Sequence, residues 1–403
     1  MATGSEPKRF SGGINALRFF GAVGVVLAHG GFLVLAGWGV PQVILNLIQA
    51  RSLATSLFFL ISGFVVTQSL CRRAGQRRDF LLRRVARLYP IHLACFLLLL
   101  IKLWFTGALP GAHALVAHCT LWATMTHGFF PGCLFLYDYS TWAVTAFMAG
   151  YLFLSGLMKG GSRLVAREVV PVTVVCWLAV LIPNLALVWN LGNQFAYNLA
   201  AAAPASQAVE YEITAAHTCV VIRVLEMLLG AMLAVLVNDR GRGTVRALRF
   251  ISRTPVIVGC AAAIVCAVQC AGRDDKLRYL LSHGLLLPLL AMLVMGVWQN
   301  QGLVDRALGG PFLQRAGKAS LLIYFVHVPV MQLVVSFGAS VWGAGAAAHC
   351  SVMFLAGFAI TLALAFALQP QYDAFSDRLS RWLQRVVPHG SPDTPAVAVE
   401  AAR

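Results

Sequence analysis

The stretch that decides the fold is residues 14–36, INALRFFGAVGVVLAHGGFLVLA, an apolar run that contains Arg18 and His29. A membrane-spanning helix needs about 20 such residues, so the run predicts a transmembrane helix. On a helix the two ionisable side chains return to within about 20° of one face, roughly 16 Å apart along the axis. Intramembrane ionisable groups are costly and usually functional. Alternatively, Arg18 extends to the inner headgroups and His29 only bonds across helices.

The composition of the whole chain indicates the same class. Hydrophobic residues make up 59% and charged residues 11%, against about 45–50% and about 25% in soluble domains. We therefore predict an all-α polytopic membrane protein. The net charge of +16 does not call for nucleic acid as a partner, because Lys and Arg fall in short clusters between apolar runs. The cysteines show neither a CxxC pair nor zinc-ligand spacing, so we expect no metal site.

The apolar pattern predicts about ten transmembrane helices and a re-entrant or interfacial helix at about 113–130. The stretch 107–140 contains no Lys or Arg, whereas Lys159, Arg163 and Arg167 follow the next span. Basic residues belong inside, so 107–140 should begin and end outside. Such backbone is tolerated where protein or water surrounds it. The predicted spans are 14–36, 52–70, 88–105, 141–158, 169–189, 216–237, 255–271, 281–298, 318–338 and 346–368.

The distribution of basic residues predicts the orientation. The densest cluster, seven arginines between positions 72 and 87, follows the second span. The positive-inside rule then places both termini in the cytoplasm of a multi-pass protein of the cell (inner or plasma) membrane. The predicted regions are a cytoplasmic N-terminus at 1–13, a membrane domain at 14–368 and a basic and polar cytoplasmic tail at 369–403. We expect Pro90 in the first turn of the third span, where its missing N–H does little harm.

Three further ionisable groups are predicted near the middle of the membrane. Arg223 and Glu226 are three positions apart, so they share a helix face and can form an ion pair. His327 also falls near the middle of its span. A bundle rich in small residues could gather these groups and His29 round one cavity. The alternative is a structural Arg–Glu pair with two histidines satisfied by neighbouring helices.

Five stretches together resemble the membrane-bound acyltransferase-3 family over residues 14–368. They are Arg18 followed after ten residues by His29, FFLISGF at 58–64, FLLRRVARLYP at 80–90, RVLEMLLG at 223–230 and AGKASLLIYFVHVPV at 316–330. The resemblance implies an O-acyltransferase that moves an acyl group, usually acetyl from acetyl-CoA, to a hydroxyl. It also implies that His29 is the catalytic histidine and that Arg18 is the arginine paired with it.

The same resemblance implies roles for other residues. Arg83, Arg84 and Arg87 are expected to bind the donor. Trp142 stands where the family often has Trp-Ser-Leu-Ser-x-Glu, and the rest of that motif is not kept here, which indicates a divergent acceptor. The residues expected to support the site are Ser62, Arg223, Glu226, His327 and Trp142.

Elementary chemistry is compatible with these roles. Arginine binds phosphate bidentately, so an Arg-rich inner face suits the phosphates of an acyl-CoA, although the same cluster could serve only as a topological anchor. A neutral His29 can remove a proton from an acceptor hydroxyl, typically worth ~10²–10⁴-fold. It could instead carry the acyl group itself, and the residues leave both routes open. We expect no cofactor, because acetyl-CoA or another acyl-CoA is a co-substrate.

The favoured acceptor is a cell-envelope polysaccharide or a lipid-linked glycan. A small glycosylated metabolite of the macrolide type is the alternative. A proton-coupled transporter, with His29, Glu226 and His327 as a relay, is a third interpretation. The basic stretch and the absence of transporter-type repeats argue against it. The expected partners are therefore an acyl-CoA, a hydroxyl acceptor and the lipid bilayer.

Overall fold

Long apolar segments become helices in a membrane because every backbone N–H and C=O group must find its partner within the segment. In the computed structural model the described residues contain helices and no strand, which confirms the all-α class. The described residues are 12–72, 77–130, 140–157, 166–192, 195, 207–239, 241–272, 274–342 and 349–387.

Seventeen α-helices occur in these ranges. They are α1 Gly12–Val26, α2 Phe32–Gly37, α3 Gln42–Gln49, α4 Arg51–Arg72, α5 Arg77–Phe105, α6 Ala112–Ala123, α7 Trp142–Leu157, α8 Ala166–Leu191, α9 Gln207–Thr218, α10 Val220–Asn238, α11 Arg242–Ile251, α12 Thr254–Ala271, α13 Asp275–Leu280, α14 Leu287–Gln299, α15 Leu303–Leu308, α16 Pro311–Trp342 and α17 Cys350–Val386. Two π-helical turns, Leu27–Gly31 and Leu281–Leu285, and a 3₁₀ turn, His127–Phe129, connect some of them.

Eight helical segments in the described part of the chain are long and apolar enough to span a membrane. The pair Asp275–Leu285 and Leu287–Gln299, bent by 47°, counts as a ninth if its two helices form one broken span. Helix α7 occupies the place of the fourth predicted span with 16 residues, most of them buried among other helices. Helix α6 has 12 residues, about 18 Å, which is too short to span. Each predicted span therefore contains helix, but only eight or nine segments of the described residues are long and apolar enough to span, against the ten predicted. Helix α6 covers the first part of the predicted non-spanning segment.

Several helices depart from the predicted boundaries. The first span is not one α-helix, because the π-helical turn Leu27–Gly31 separates α1 from α2. Helix α5 begins at Arg77, so Pro90 lies inside the helix and not in its first turn. Helix α17 continues through Val386, well beyond the predicted end of its span at 368. From Arg77 onward the basic stretch before the third span is thus helical, and the arginines of that part are held by helical backbone.

Close helix contacts at glycine bring the central helices together. A Cβ on Gly63 of α4 would collide with the backbone carbonyl of Met227 on α10, and one on Gly230 would collide with that of Leu60. A Cβ on Gly317 of α16 would likewise meet the backbone of Asn15 on α1. Small residues allow membrane helices to approach this closely, which increases van der Waals contact where lipid offers no hydrophobic driving force.

The end of the bundle at which α1 begins is called the inner end below, and the opposite end the outer end. Helices α1, α5 and α16 begin at the inner end, where the Asn15 amide donates a hydrogen bond to Gln314 Oε1 at 2.6 Å. Helix α17 finishes there, since the Tyr372 hydroxyl donates to the backbone carbonyl of Arg87. The inner end is the side that the positive-inside rule assigns to the cytoplasm.

Candidate active site

A cavity of about 430 Å³ lies between α1, α4, α5, α7 and α16. Its lining on α4 extends from Thr55 to Val66, which corresponds to about 16 Å along the helix. It therefore begins at the inner end of the bundle and extends outward as an elongated space. The volume falls within the range of about 300–1,000 Å³ that is usual for small-molecule sites.

Four cationic side chains line this cavity: Arg18, Arg84, Arg87 and Lys318. Among the described residues, the ion pairs include Arg87, which lies 3.6 Å from a carboxylate oxygen of Asp373, but none of the other three. Cations that lie together in a partly buried space without carboxylates are costly unless an anion binds there. The cationic lining is therefore compatible with an anionic ligand.

Helix α5 positions two of these cations. Arg84 and Arg87 are three residues apart, so they share a helix face. The Arg84 guanidinium lies 5.0 Å from the ring centroid of Phe80 and 5.2 Å from that of Tyr151. Cation–π contacts of this kind restrict the guanidinium plane while leaving its N–H groups available to an anion.

The outer part of the cavity is apolar and aromatic. Phe58, Phe59 and Phe147 line it there, together with Tyr324 of α16. Phe58 packs edge to face on Tyr324, with ring centroids 5.8 Å apart. The cavity thus changes from cationic to apolar along its length, which suits a ligand with phosphates at one end and an uncharged arm at the other.

His29 and His327 form a pair beyond Tyr324. His29 Nδ1 lies 2.8 Å from His327 Nε2, and the two rings are parallel to within 4°. His327 is fully buried, and its Nδ1 lies 2.6 Å from the backbone carbonyl oxygen of Tyr324. His29 is half-buried and belongs to the π-helical turn that interrupts the first span. Such π-turns in membrane and soluble helices are frequent at functional sites.

Arg223 and Glu226 form a second cluster on the other side of α4. Arg223 Nη1 lies 2.8 Å from each Glu226 carboxylate oxygen, and Ser56 donates to Oε1 of the same carboxylate at 2.6 Å. Arg223 also donates from Nη2 and Nε to the backbone carbonyl of His217 at 2.6 and 2.9 Å. The predicted ion pair is therefore present, fully buried, with its charges distributed over several hydrogen bonds.

The four mid-membrane groups do not surround one cavity, contrary to the sequence-based expectation. His29 and His327 lie together, Arg223 and Glu226 lie together, and none of the four lines the cavity described above. Neighbouring side chains of α4 separate the clusters, because Phe58 faces Tyr324 whereas Phe59 faces Trp142. Helix rotation, which spacing along one helix does not determine, decides this division.

The remaining predicted residues lie at different distances from the cavity. Ser62 lines it, as do Arg18, Arg84 and Arg87. Arg83 is not among the lining residues. Trp142 packs against Phe59, with ring centroids 5.9 Å apart, and lies 5.9 Å from the Arg223 guanidinium. Trp142 thus belongs to the Arg223 cluster and supports one wall of the cavity from behind.

Sequence reasoning missed Lys318, Asn15 and Gln314, which line the inner part of the cavity. Lys318 stands nine positions before His327 in the same helix, and an intramembrane lysine carries the same functional presumption as an arginine. That signal was available. Asn15 and Gln314 carried none, because uncharged amides near span ends are common.

Comparison with known proteins identifies the family to which the chain is similar. A family model described as "Acyltransferase domain" matches residues 11–369. A curated relative, "Acyltransferase MdmB" from Streptomyces mycarofaciens, is 36% identical over 86 residues, which is 21% of this chain and 22% of that protein. The matched part of this chain thus spans about a fifth of that relative's length. No solved structure matches the chain.

Proposed function

The chain belongs to the acyltransferase-3 family and is a multi-pass membrane acyltransferase, and from this premise we propose the reaction that it performs. It transfers an acyl group, acetyl in the simplest case, from an acyl-CoA in the cytoplasm to a hydroxyl of a cell-envelope polysaccharide or lipid-linked glycan. The protein lies in the plasma membrane with both termini in the cytoplasm, as the clustered arginines at the inner end favour.

The observation that supports an acyl-CoA donor is the group of cations in the cavity without carboxylate partners. Coenzyme A carries phosphates, and Arg18, Arg84 and Lys318 supply donors at the inner end of the cavity. Guanidinium groups bind phosphate oxygens in a fixed fork, and lysine adds a point charge. The apolar outer part then takes the uncharged arm that ends in the thioester.

The proposed chemistry takes place beyond the outer end of the cavity, at His29. The acceptor oxygen attacks the thioester carbonyl carbon, and His29 takes the hydroxyl proton as the new C–O bond forms. The C–S bond breaks, the thiolate of CoA leaves, and it receives the proton from His29. The products are the acylated acceptor and free CoA thiol, so atoms and charges balance.

A direct test uses the purified protein in lipid nanodiscs. Acetyl-CoA is supplied with lipid-linked glycan extracted from a strain that lacks the gene, and both free thiol and acylated glycan are measured. We expect both to appear together with the parent protein and neither with His29→Ala. Thiol release that requires a small glycosylated metabolite in place of glycan would reassign the acceptor class, and no thiol release with either would contradict the function.

A further inference from the structure

The His29–His327 contact has the geometry of a hydrogen bond in the plane of both rings. The rings are parallel to within 4°, and their centroids are 5.1 Å apart, while the facing nitrogens are only 2.8 Å apart. The N–H bond and the lone pair of imidazole lie in the ring plane, so parallel rings that meet edge to edge align donor with acceptor. One of the two nitrogens therefore carries the proton, and the other accepts it.

The backbone carbonyl of Tyr324 determines which nitrogen is the donor. This oxygen can only accept, and it lies 2.6 Å from His327 Nδ1, so His327 carries its proton on Nδ1. His327 is fully buried, and no ion pair of the described residues includes it. A neutral ring is therefore the stable form. Its Nε2 then accepts, and His29 must donate from Nδ1.

We propose that His327 is a positioning residue that holds His29 in the tautomer with the proton on Nδ1 and the basic lone pair on Nε2. The inference rests on the proposed function, in which His29 takes the acceptor proton. Nε2 is the nitrogen on the ring edge away from His327, so the proton is taken there. The Tyr324 carbonyl, His327 and His29 form a chain of hydrogen bonds. The carbonyl orients His327, and His327 orients the base His29, much as a third group orients the base in hydrolase triads.

The hydrogen bond to His327 also stabilises His29 when it is protonated. When Nε2 takes the hydroxyl proton, the Nδ1–H bond to His327 becomes a charge-assisted hydrogen bond, which is stronger than a neutral one. Two features of the chain hold this geometry. The π-helical turn carries His29, and Gly31 of that turn packs so closely on the Phe354 ring that a Cβ would collide with it. The turn is therefore held against α17 while His29 faces α16.

Two substitutions separate the positioning role from a structural one. In His327→Gln the side-chain oxygen can reach the position of Nε2 and still accept from His29. In His327→Asn the shorter amide reaches only the position of Nδ1, so it can bond to Tyr324 but leaves the His29 N–H without this acceptor. We expect kcat to fall by about 10²-fold or more in His327→Asn and by about tenfold or less in His327→Gln. KM for acetyl-CoA should stay near the parent value in both, since His327 does not line the cavity.

His283→Asn is a matched control for the loss of a buried histidine. His283 is buried as deeply, with Nδ1 2.9 Å from the Tyr279 carbonyl oxygen and Nε2 3.1 Å from His217 Nδ1. The His283→Asn variant should lower the thermal midpoint in detergent about as much as His327→Asn does, and its kcat should stay near that of the parent. If His327→Asn and His327→Gln reduce kcat equally, or in proportion to their thermal midpoints, the positioning role is wrong.

A second readout does not depend on activity. Nitrogen NMR of ¹⁵N-histidine-labelled protein distinguishes a protonated ring nitrogen from a bare one, and the signals that vanish in His29→Ala identify His29. We expect a protonated Nδ1 and a bare Nε2 in the parent, and a mixture of tautomers in His327→Asn. A proton on Nε2 of the parent would overturn the inference whatever the activity. Conversely, a parent that releases no thiol contradicts the proposed function and leaves the tautomer measurement standing.

Discussion

At the scale of single residues, the cations of the cavity differ in how they are held. Arg84 rests against two aromatic rings, whereas Arg87 is drawn toward Asp373 and its side chain is 37% exposed. A ligand phosphate must compete with Asp373 for Arg87, whereas no ion pair of the described residues includes Arg84. Arg84 should therefore contribute more to donor binding than Arg87 does.

The first prediction separates donor binding from chemistry. Arg84→Ala should weaken acetyl-CoA binding by about 10- to 100-fold, because a charge-assisted hydrogen bond is worth about 1.5–3 kcal/mol. Arg87→Ala should weaken it less. His29→Ala should bind almost normally and transfer nothing, because it removes the proton acceptor but no phosphate contact. Calorimetry in detergent measures the binding, and free thiol release measures the transfer.

The control for this prediction is Arg381→Ala, which removes an exposed arginine of α17 outside the cavity lining. It should bind acetyl-CoA like the parent. The assignment of the cavity to the donor is contradicted if Arg84→Ala binds as tightly as Arg381→Ala, or if His29→Ala retains transfer near the parent rate.

The second prediction concerns the buried ion pair. Removal of one partner, as in Glu226→Gln or Arg223→Met, leaves the other without its compensating charge, which costs roughly 3–5 kcal/mol in soluble proteins. The double variant Arg223→Met with Glu226→Leu removes both charges, so it should lose less folded protein than either single variant. Size-exclusion profiles and thermal midpoints in detergent measure this. Glu212→Gln, at an exposed position, should behave as the parent, and single variants with parent-like midpoints would contradict the prediction.

At the scale of elements, contacts between helices explain why some helices begin or end at other residues than predicted. Helix α5 begins at Arg77 because Phe80 and Ala86 of the basic stretch are buried against the bundle, and arginine is itself a good helix former. The arginines therefore indicate that this stretch lies at the inner surface, but they do not interrupt the helix. The cationic lining of the cavity depends on this extension, since Arg84 and Arg87 are held by helical backbone.

The third prediction concerns the crossing of α4 and α10. Gly63→Ala and Gly230→Ala each place a Cβ against the backbone of the facing helix, where no side chain can move aside. We expect overpacking to cost about 1–3 kcal/mol and to lower the thermal midpoint. Gly259→Ala is the matched control, because this helical glycine of α12 has no atom within 4 Å of an added Cβ. Equal midpoints for Gly63→Ala and Gly259→Ala would show that the helices are not in close contact.

At the scale of the whole molecule, the inner end carries the charge and the long helices extend beyond the membrane. Helix α17 has 37 residues, about 55 Å, whereas the hydrocarbon core of a bilayer is about 30 Å thick. Its inner part is fastened to α5, since Tyr372 bonds to the Arg87 carbonyl and Arg78 donates to Gln384. This end of α17 therefore braces the entrance of the cavity.

The fourth prediction concerns topology. Reporter fusions after residues 75, 160 and 245 should report cytoplasm, and fusions after 200 and 275 should report the outside, because basic residues cluster on the inner side. Positions 75, 160 and 200 lie outside the described residues. A fusion after 403 serves as the control and should report cytoplasm. A cytoplasmic signal at 200 would contradict the assignment of α6 as a non-spanning helix.

The sequence by itself determined the features that depend on local spacing and composition. Apolar runs of bilayer length predicted the all-α membrane class and the order of the spans, because a backbone in lipid has few alternatives to a helix. The Arg223–Glu226 pair was predictable for the same reason: helical geometry places residues three apart on one face. Arg18 and His29 were predictable as candidate site residues because intramembrane charge is costly.

Only the tertiary structure decided which distant groups meet. His29 and His327 are 298 positions apart, and their contact depends on how α1 and α16 rotate and cross at Gly317. The rotation of each helix also decides that Lys318 and Ser62 line the cavity and that His29 does not. Spacing along one helix determines a face but not what that face meets. Which side chains come into contact is decided by close packing at glycines and by a π-helical turn, and residue spacing predicts neither.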